Sequence, residues 1–394
     1  MKVVHIVKDN LGGVFVYEEV CRLTEAGLDV TTILPATARG NMAARYRDRG
    51  LPLIDADPNL YPANPRRTLA NARRLRRELA ALQPDLVHVH HLAPCLLLRL
   101  ATGRRPAFPR IFEVHGPLHL ESPHTRRADL STRGPRDYYI ATSRATHRLY
   151  LDAGVGEDRI MQTYSGCETT RYMTPRTGKL RSELGVGEDV PLAGMVAWMY
   201  RPKRYLGQRV GLKGHDLFIR AIPKVVQEFP EARFVIVGAE LDGRRKYEMQ
   251  LQAMAASLGV ADVLTFFGPR ADAAALQPDL DVAVHPSRSE NPGGAIYTLL
   301  AGVPTAASRV GGLPEIVRHE QTGLLFDRDD VDGLAGSIRA LLRDRDRARE
   351  MAMRGRALAQ EMFDLSKTVP DILRFYDEVL AREGSAAQGS SRSI

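Results

Sequence analysis

The 394-residue sequence has only three cysteines, Cys21, Cys95 and Cys167, and a single tryptophan. The cysteines have neither the spacing of a metal site nor the density of a disulfide scaffold, which favours a reducing, cytoplasmic setting. No apolar run approaches the roughly 18 residues of a membrane span. The apolar segment at the start is too short for a signal peptide. These absences indicate a globular chain, whose length suits two domains.

Charge of one sign is only slightly in excess, with 55 basic against 47 acidic residues and a net charge of +8. This excess suits an anionic ligand. Nucleic acid is not expected as a partner, because no RNA-binding signature or zinc-finger spacing occurs. The helix predicted over residues 66–82 has several arginines that lie off an apolar stripe, which consists of Leu69, Ala72, Leu75, Leu79 and Leu82. We favour an ordinary solvated face there over peripheral contact with anionic lipid, because the stripe can pack on a sheet.

Short apolar runs of strand length alternate with amphipathic segments of helical period, such as residues 16–26 and 216–229. This alternation predicts parallel sheets covered by helices on both faces. The predicted strands cover residues 3–7, 30–34, 86–89, 111–114 and 138–142, then 193–197, 234–237, 264–267 and 282–284.

The strand series restarts after a polar stretch at residues 174–190. The sequence therefore predicts an α/β protein of two Rossmann-like, doubly wound domains that face each other across a ligand cleft. We place the first domain at residues 1–180 and the second at residues 181–368. A helix over residues 369–383 is expected to pack back on the first domain. The Ser- and Gly-rich tail, residues 384–394, is expected to be disordered.

One segment combines a strand end, a carboxylate and a pair of glycines. It reads His-Pro-Ser-Arg-Ser-Glu-Asn-Pro-Gly-Gly from residue 285, so Glu290 shortly precedes Gly293 and Gly294 at a helix start. Glycines let a ligand approach the backbone closely, and the N–H groups of a helix start favour an anion. Taken alone, the pattern fits a capped helix after a tight turn equally well.

A second segment places Lys213 and Gly214 immediately before an amphipathic helix. An ammonium group and unpaired helix-start N–H groups would then meet at one point, which suits a diphosphate leaving group. A lone Lys-Gly pair before a helix is more often only a solvated turn.

Together with other ordered landmarks, these two segments resemble the retaining glycosyltransferases of family 4, which have the GT-B fold. The landmarks include the glycine pair at 12–13, the His-bearing strand ends at 85–90 and 114–116, the turn at 164–168 and Gly-Gly-Leu-Pro-Glu at 311–315. Each landmark is weak by itself. Their order over residues 1–380 carries the resemblance.

The resemblance implies a role for each matching position. Lys213 would hold the donor diphosphate, Glu290 a hydroxyl of the donor sugar, and His115 the sugar near its reacting carbon. Arg270 would lie at the nucleotide base. The other donor-binding residues implied are Gly12, Gly13, Asn291, Gly293 and Gly294.

Two departures from the family pattern concern the donor. The family's second glutamate, which holds the ribose, is replaced here by Tyr297 or Thr298, and either hydroxyl could make that hydrogen bond. The family's arginine before the lysine is also missing. A cationic loop follows at residues 200–209, and we expect Lys203 or Arg209 to supply the missing charge.

The implied reaction is metal-independent transfer with retention, by front-face displacement, from a nucleotide diphosphate sugar. UDP-sugar is the default donor, and the acceptor is expected to be a hydroxyl of a small polar molecule. No cofactor or metal is expected. Two alternatives stay open: a GT-B nucleotide-sugar epimerase, and a degenerate nucleotide-sugar-binding protein without catalysis.

Two sets of residues suggest a metal but have simpler explanations. Asp279 and Asp281 precede a buried strand, where aspartate commonly ends a turn. His88, His90 and His91 could suggest zinc, but the segment of residues 86–94 that contains them has no carboxylate or cysteine. A strand end that lines a ligand cleft is the interpretation we favour for the histidines.

Overall fold

The computed structural model describes residues 1–202, 208–240 and 243–390, with the backbone alone for residues 386–390. The chain forms two compact units. The first comprises Met1–Glu168 together with the C-terminal segment from Met362, and the second comprises Thr169–Glu361. Among the helices that the structure describes, none combines the length and apolar character that a membrane span needs.

The first unit contains a parallel sheet that has seven strands within the described residues, in the order β3-β2-β1-β4-β5-β6-β7. Helices cover both faces, as the alternating sequence pattern predicts. The strands are β1 Lys2–Ile6, β2 Asp29–Leu34, β3 Leu53–Asp55, β4 Leu86–His90, β5 Arg110–Glu113, β6 Asp137–Ala141 and β7 Ile160–Gln162. The helices are α1 Val14–Glu25, α2 Met42–Asp48, α3 Pro65–Leu82, α4 Leu92–Thr102, α5 Leu118–Glu121, α6 Pro123–Ser131 and α7 Arg144–Asp152.

The second unit repeats the architecture, with six described parallel strands in the order β10-β9-β8-β11-β12-β13. The strands are β8 Leu192–Val196, β9 Arg233–Val237, β10 Leu264–Gly268, β11 Val282–His285, β12 Thr305–Ser308 and β13 Leu324–Phe326. The helices are α8 Thr169–Tyr172, α9 Lys179–Leu184, α10 His215–Val226, α11 Lys246–Ser257, α12 Ala273–Leu276, α13 Gly293–Leu300, α14 Leu313–Ile316, α15 Val331–Arg343 and α16 Arg345–Phe363.

The final helix, α17 Leu365–Ser390, belongs to the first unit. Its side chains Val369, Ile372 and Tyr376 are buried with those of α1 against the sheet. The backbone of this helix continues through residues 384–390, which belong to the tail predicted to be disordered. The disorder of that tail stays a prediction. The last four residues of that predicted tail lie outside the described residues.

The units divide at residues 168 and 362, rather than at the predicted residues 180 and 368. Contacts within the second unit explain the earlier boundary. The Asp279 carboxylate accepts hydrogen bonds from the backbone N–H groups of Thr177, Gly178 and Leu180. Leu180 is also buried in an apolar cluster of that unit. The polar stretch expected to link the domains therefore packs as part of the second one.

The helix α3 follows the predicted amphipathic pattern with one exception. Ala72, Leu75 and Leu79 are buried, as expected, against the first sheet and its helices. Leu69, predicted to lie on the same stripe, is 47% exposed. Arg67 forms an ion pair with Asp57 at 2.7 Å, which is typical of a solvated helix face.

Candidate functional site

The second sheet has a topological switch point between β8 and β11. The chain leaves β8 through α10 towards β9 on one side, and leaves β11 through α13 towards β12 on the other. Divergent connections of this kind open a crevice at the carboxyl ends of the two strands, where doubly wound proteins bind ligands. Lys213 lies just before α10 and Glu290 just before α13, so the fold brings both to this crevice.

Lys213 and Glu290 form an ion pair there, between Lys213 Nζ and Glu290 Oε2. The Ser287 hydroxyl donates to the same carboxylate oxygen at 3.1 Å. Both charged side chains are largely buried, at 19% and 15% exposure. Burial is the largest single influence on the pKa of Lys213 and lowers it, but the charge and hydrogen bond of Glu290 together with Tyr200 outweigh burial, and the pKa is raised above its usual value. Lys213 is therefore a fixed cation at neutral pH.

Two glycines allow the backbone to come close around this pair. Gly214 has φ of 75°, and a Cβ there would lie 1.9 Å from the carbonyl oxygen of Pro286. Gly293 has φ of 36°, and its Cβ would lie 3.0 Å from Glu290 Oε1. Glycine avoids both the left-handed strain and these contacts. The first N–H groups of α10 and α13 are therefore near the ion pair, where an anion is favoured.

Sequence reasoning missed an arginine that fixes this arrangement. Arg288 donates two hydrogen bonds of 2.8 Å to the Asp216 carboxylate. It also donates to the Gly211 carbonyl at 2.8 Å and to Asp329 at 2.5 Å. Arg288 is only 8% exposed, so these charge-assisted bonds tie the end of β11 to the loop that carries Lys213. The sequence signal that could have pointed to Arg288 was its potential partner Asp216, an acidic residue in the first turn of α10.

The two candidates for the ribose contact differ in their surroundings. The Thr298 hydroxyl is buried, donates to the Ala295 carbonyl at 3.0 Å and lies 3.0 Å from His285 Nε2. This placement disagrees with a nucleoside contact, because the hydroxyl already has two partners inside the unit. Tyr297 is half-buried, with its ring 4.5 Å from that of Tyr172. Tyr297 alone keeps the predicted role.

Other predicted donor contacts of the second unit have varied environments. Arg270 pairs with Glu183 at 2.6 Å and with Asp272 at 2.8 Å. Asn291 is buried beside Glu290. In the cationic loop, Arg209 is exposed, whereas Lys203 lies outside the described residues.

The remaining predicted residues lie in the first unit. Gly13, with φ of 82°, is the N-cap residue immediately before α1, and the Gly12 N–H donates to Asp9 at 2.9 Å. Phe15 of α1 contacts the His115 ring edge-on, at 4.4 Å between ring centroids. The first unit thus brings the glycine pair and His115 to the same helix start.

His115 belongs to a chain of buried polar groups. Its Nδ1 lies 2.9 Å from Ser165 Oγ and its Nε2 lies 3.1 Å from His90 Nδ1. Burial lowers the pKa of His115 to about 3, although Glu113 opposes that change. Burial likewise lowers the pKa of His88 to about 3. Both rings are therefore neutral at physiological pH. Sequence reasoning assigned no role in the site to Glu113 or Ser165.

The two aspartates discounted as metal ligands have structural partners. Asp279 caps the start of α9, as described above. Asp281 pairs with Arg181 at 2.5 Å and accepts from the backbone N–H of Leu192 at 2.8 Å. These contacts fit the turn-ending role expected from the sequence.

Comparisons with known proteins agree with this architecture. Residues 12–171 match the family model described as Glycosyltransferase Family 4, and residues 204–358 match the model described as Glycosyl transferases group 1. A D-inositol 3-phosphate glycosyltransferase of Acidothermus cellulolyticus is 28% identical, with 96% of this chain and 88% of the relative aligned. A GDP-mannose-dependent alpha-(1-6)-phosphatidylinositol monomannoside mannosyltransferase of Mycolicibacterium smegmatis is 35% identical, over 72% of this chain and 74% of the relative.

A crystal structure of Anabaena Alr3699/HepE in complex with UDP-glucose has a similar fold, with a TM-score of 0.80 and 22% identity over 96% of this chain and 99% of that one. The doubly wound units and these matches define a glycosyltransferase of the GT-B fold. The chain belongs to glycosyltransferase family 4.

Proposed function

We propose that this protein transfers a sugar, with retention of configuration, from a UDP-sugar to a hydroxyl of a small polar acceptor. The observation that carries the proposal is the Lys213–Glu290 ion pair at the switch point of the second unit. There a fixed cation and two helix starts meet a carboxylate. The cation and the helix starts suit a diphosphate, and the carboxylate can accept a hydrogen bond from a sugar hydroxyl.

The contacts of Glu290 suggest how the bond is exchanged. One carboxylate oxygen, Oε2, is occupied by Lys213 and Ser287, which leaves Oε1 to accept from a sugar hydroxyl. A carboxylate held in this way serves as a hydrogen-bond acceptor rather than as the nucleophile of a double displacement. Retention then requires the acceptor to attack the face from which the diphosphate leaves.

Lys213 stabilises the departing diphosphate in this proposal, together with N–H groups of α10 and α13. Charge develops on the leaving group as the glycosidic bond breaks, and preorganised donors stabilise that charge. A phosphate oxygen accepts the acceptor's proton. We propose that no metal ion is needed at the phosphates, because these cationic and dipolar groups perform that role. The roles expected for His115, Gly12 and Gly13 stay predictions from the family resemblance.

The relatives support the choice of substrates. Two of them are named for inositol-containing acceptors, D-inositol 3-phosphate and phosphatidylinositol monomannoside, which favours a phosphorylated polyol as acceptor. The Anabaena structures hold UDP or UDP-glucose, which supports UDP. The mannosyltransferase relative uses GDP-mannose, so a GDP-sugar is the second candidate donor.

The test combines binding and product analysis. Thermal shifts with UDP and GDP should show which diphosphate stabilises the protein, because a ligand of the native state raises the melting temperature. Turnover is then measured with UDP-glucose or GDP-mannose and with inositol 3-phosphate, and the anomeric configuration of the product is read by NMR. An α-linked product from these α-donors supports the proposal, and a β-linked product refutes retention.

Control reactions without acceptor address the alternatives. Slow release of free nucleotide fits a transferase, and an epimerised donor identifies an epimerase. Tight nucleotide binding without turnover, over a broad acceptor panel, indicates a degenerate binding protein.

A further inference from the structure

The first sheet has its own switch point, between β1 and β4, and three histidines meet there. His5 of β1 pairs in register with His88 of β4, and His90 follows two residues later on the same face. The helix α1 covers this face and adds Glu19. We call His5, Glu19, His88 and His90 the histidine cluster. Its side chains are at most 3% exposed.

The potential ligand atoms of the histidine cluster all lie within 4.8 Å of one another. His5 Nδ1 is 3.1 Å from His90 Nε2, and Glu19 Oε1 is 3.7 Å from His88 Nδ1 and 4.0 Å from His5 Nδ1. A tetrahedral zinc ion with bonds of about 2.0–2.1 Å separates its ligands by about 3.3 Å. Small side-chain movements would therefore suffice for all four atoms to reach one ion.

We propose that the histidine cluster binds one Zn²⁺ through three imidazole nitrogens and one carboxylate oxygen, as a closed, four-coordinate site. Glu19 Oε1 supports this assignment independently, since it is buried and has no hydrogen-bond partner within the described residues. An unpaired buried carboxylate oxygen is costly, and a divalent cation would compensate it. Residues 86–94, which contain the histidines of β4, include no carboxylate. The carboxylate comes instead from Glu19 of α1, far away in the sequence.

The second nitrogen of each histidine also has a suitable neighbour. In this assignment His5 and His88 bind the ion through Nδ1, and His90 binds it through Nε2. The other nitrogen of His5, Nε2, then lies 3.3 Å from Tyr376 Oη, and that of His88, Nε2, lies 3.0 Å from Glu113 Oε2. The other nitrogen of His90, Nδ1, lies 3.1 Å from His115 Nε2. Metal-bound histidines normally donate their other N–H to such groups, which fix the tautomer and orient the ring. Protonation of His90 at Nδ1 would leave His115 Nε2 as the acceptor of that hydrogen bond.

Two other arrangements compete for these side chains. In the first, no metal is bound, His5 and His90 hydrogen-bond each other, and the Tyr376 hydroxyl hydrogen-bonds His88 Nδ1 at 2.7 Å. Hydrogen bonds alone would then hold these side chains together. A second group, His90, Glu113 and His115, also lies within metal-binding distance. We favour the histidine cluster because it offers four ligands and because each second nitrogen has a polar atom of another residue within 3.3 Å.

Metal analysis of the purified full-length protein, prepared without chelators from zinc-supplemented cells, tests the proposal. We expect about one Zn²⁺ per chain, as in a structural zinc site. Apo protein, prepared with a strong chelator, should take up about one Co²⁺ with the intense visible absorption of tetrahedral coordination, and Zn²⁺ should displace it. A wild-type protein that stays metal-free after purification and after reloading, with an unchanged melting temperature, overturns the site.

Matched variants locate the metal. His5→Gln and Glu19→Gln should lose the zinc, and the buried control His119→Gln should retain it. His115→Gln should bind zinc more weakly without losing it, because His115 is the hydrogen-bond partner of the ligand His90 and not a ligand itself. Glu113→Gln should weaken affinity by about 10–100-fold, because it removes a partner of a ligand rather than a ligand. Zinc that is lost from His115→Gln but kept in His5→Gln refutes the proposed position. If a ligand variant fails to fold, the Co²⁺ spectrum of the wild-type protein still tests the proposal. Intense visible absorption supports the tetrahedral metal site, and its absence supports a metal-free cluster held by hydrogen bonds.

Discussion

Replacing Lys213 tests the proposed chemistry most directly. Lys213→Met removes the charge but keeps most of the volume. A unit charge about 4 Å from a phosphate oxygen contributes about 4 kcal/mol at an effective dielectric constant near 20. Loss of one preorganised donor typically lowers kcat by roughly 10²–10³, or about 2.7–4 kcal/mol. The two scales agree, so we expect kcat to fall by that factor in steady-state assays with saturating donor and acceptor.

The variant leaves Glu290 without its cation, which could lower stability and confuse the result. The double variant Lys213→Met/Glu290→Gln removes both charges and should melt close to the wild type. Its kcat should stay low, because the diphosphate still lacks its cation. Arg220→Ala, which removes an exposed cation from the same helix α10, is the matched control and should retain full activity.

The pH dependence gives a further check. Because the pKa of Lys213 is raised, its ammonium is present at neutral pH and is lost only as pH rises through that raised value. Lys213 should therefore cause no loss of kcat between pH 7 and 9.

A folded Lys213→Met variant with kcat within about threefold of wild type would refute the proposed role of Lys213, because a threefold change corresponds to only about 0.7 kcal/mol.

The structure supports four other predictions. Tyr297→Phe should raise the donor KM with little change in kcat, because a ribose contact is equal in ground and transition states. Thr298→Val should leave KM unchanged but destabilise the protein by about 1–3 kcal/mol in urea unfolding, since it leaves His285 Nε2 unpaired. A changed KM without a loss of stability would reverse this assignment. Added Mg²⁺ or Mn²⁺ should change kcat less than about twofold, and a strict requirement for either ion in assays of EDTA-dialysed protein would contradict metal-independent transfer. Burial lowers the pKa of His215 and His285 to about 3, whereas unfolded histidine titrates near 6.5. The unfolded state therefore takes up protons first, and stability should fall as pH drops below 6.5, by about 2 kcal/mol per histidine at pH 5. An unchanged urea midpoint between pH 7 and 5 would contradict it.

The strand pattern of the sequence was sufficient to predict most of both sheets. All nine strands predicted from apolar runs are confirmed, and each end lies within one residue of its predicted position. The strands β3, β7 and β13 were missed because three residues are too few to show a pattern. The strand β12, Thr305–Ser308, was missed because Thr-Ala-Ala-Ser contains no large apolar side chain. Pairing with neighbouring strands, rather than local preference, makes these segments extended.

The resemblance to glycosyltransferase family 4 predicted that Lys213 and Glu290 serve one donor site. The structure pairs them because both follow strand ends, which share an edge of the parallel sheet. The resemblance did not distinguish Tyr297 from Thr298. Successive residues of a helix point about 100° apart, so only the packing of α13 decides which of the two is buried.

What the sequence determined by itself is the strand–helix alternation, the family and the residues that follow each strand. What only the tertiary structure decided is which distant side chains meet in space. Arg288 forms an ion pair with Asp216, and Glu19 lies beside three histidines of β1 and β4. Sheet order and helix packing bring these residues together. The physical reason is that local periodicity reports whether a side chain faces the core. The partner that it meets there depends on elements far away in the chain.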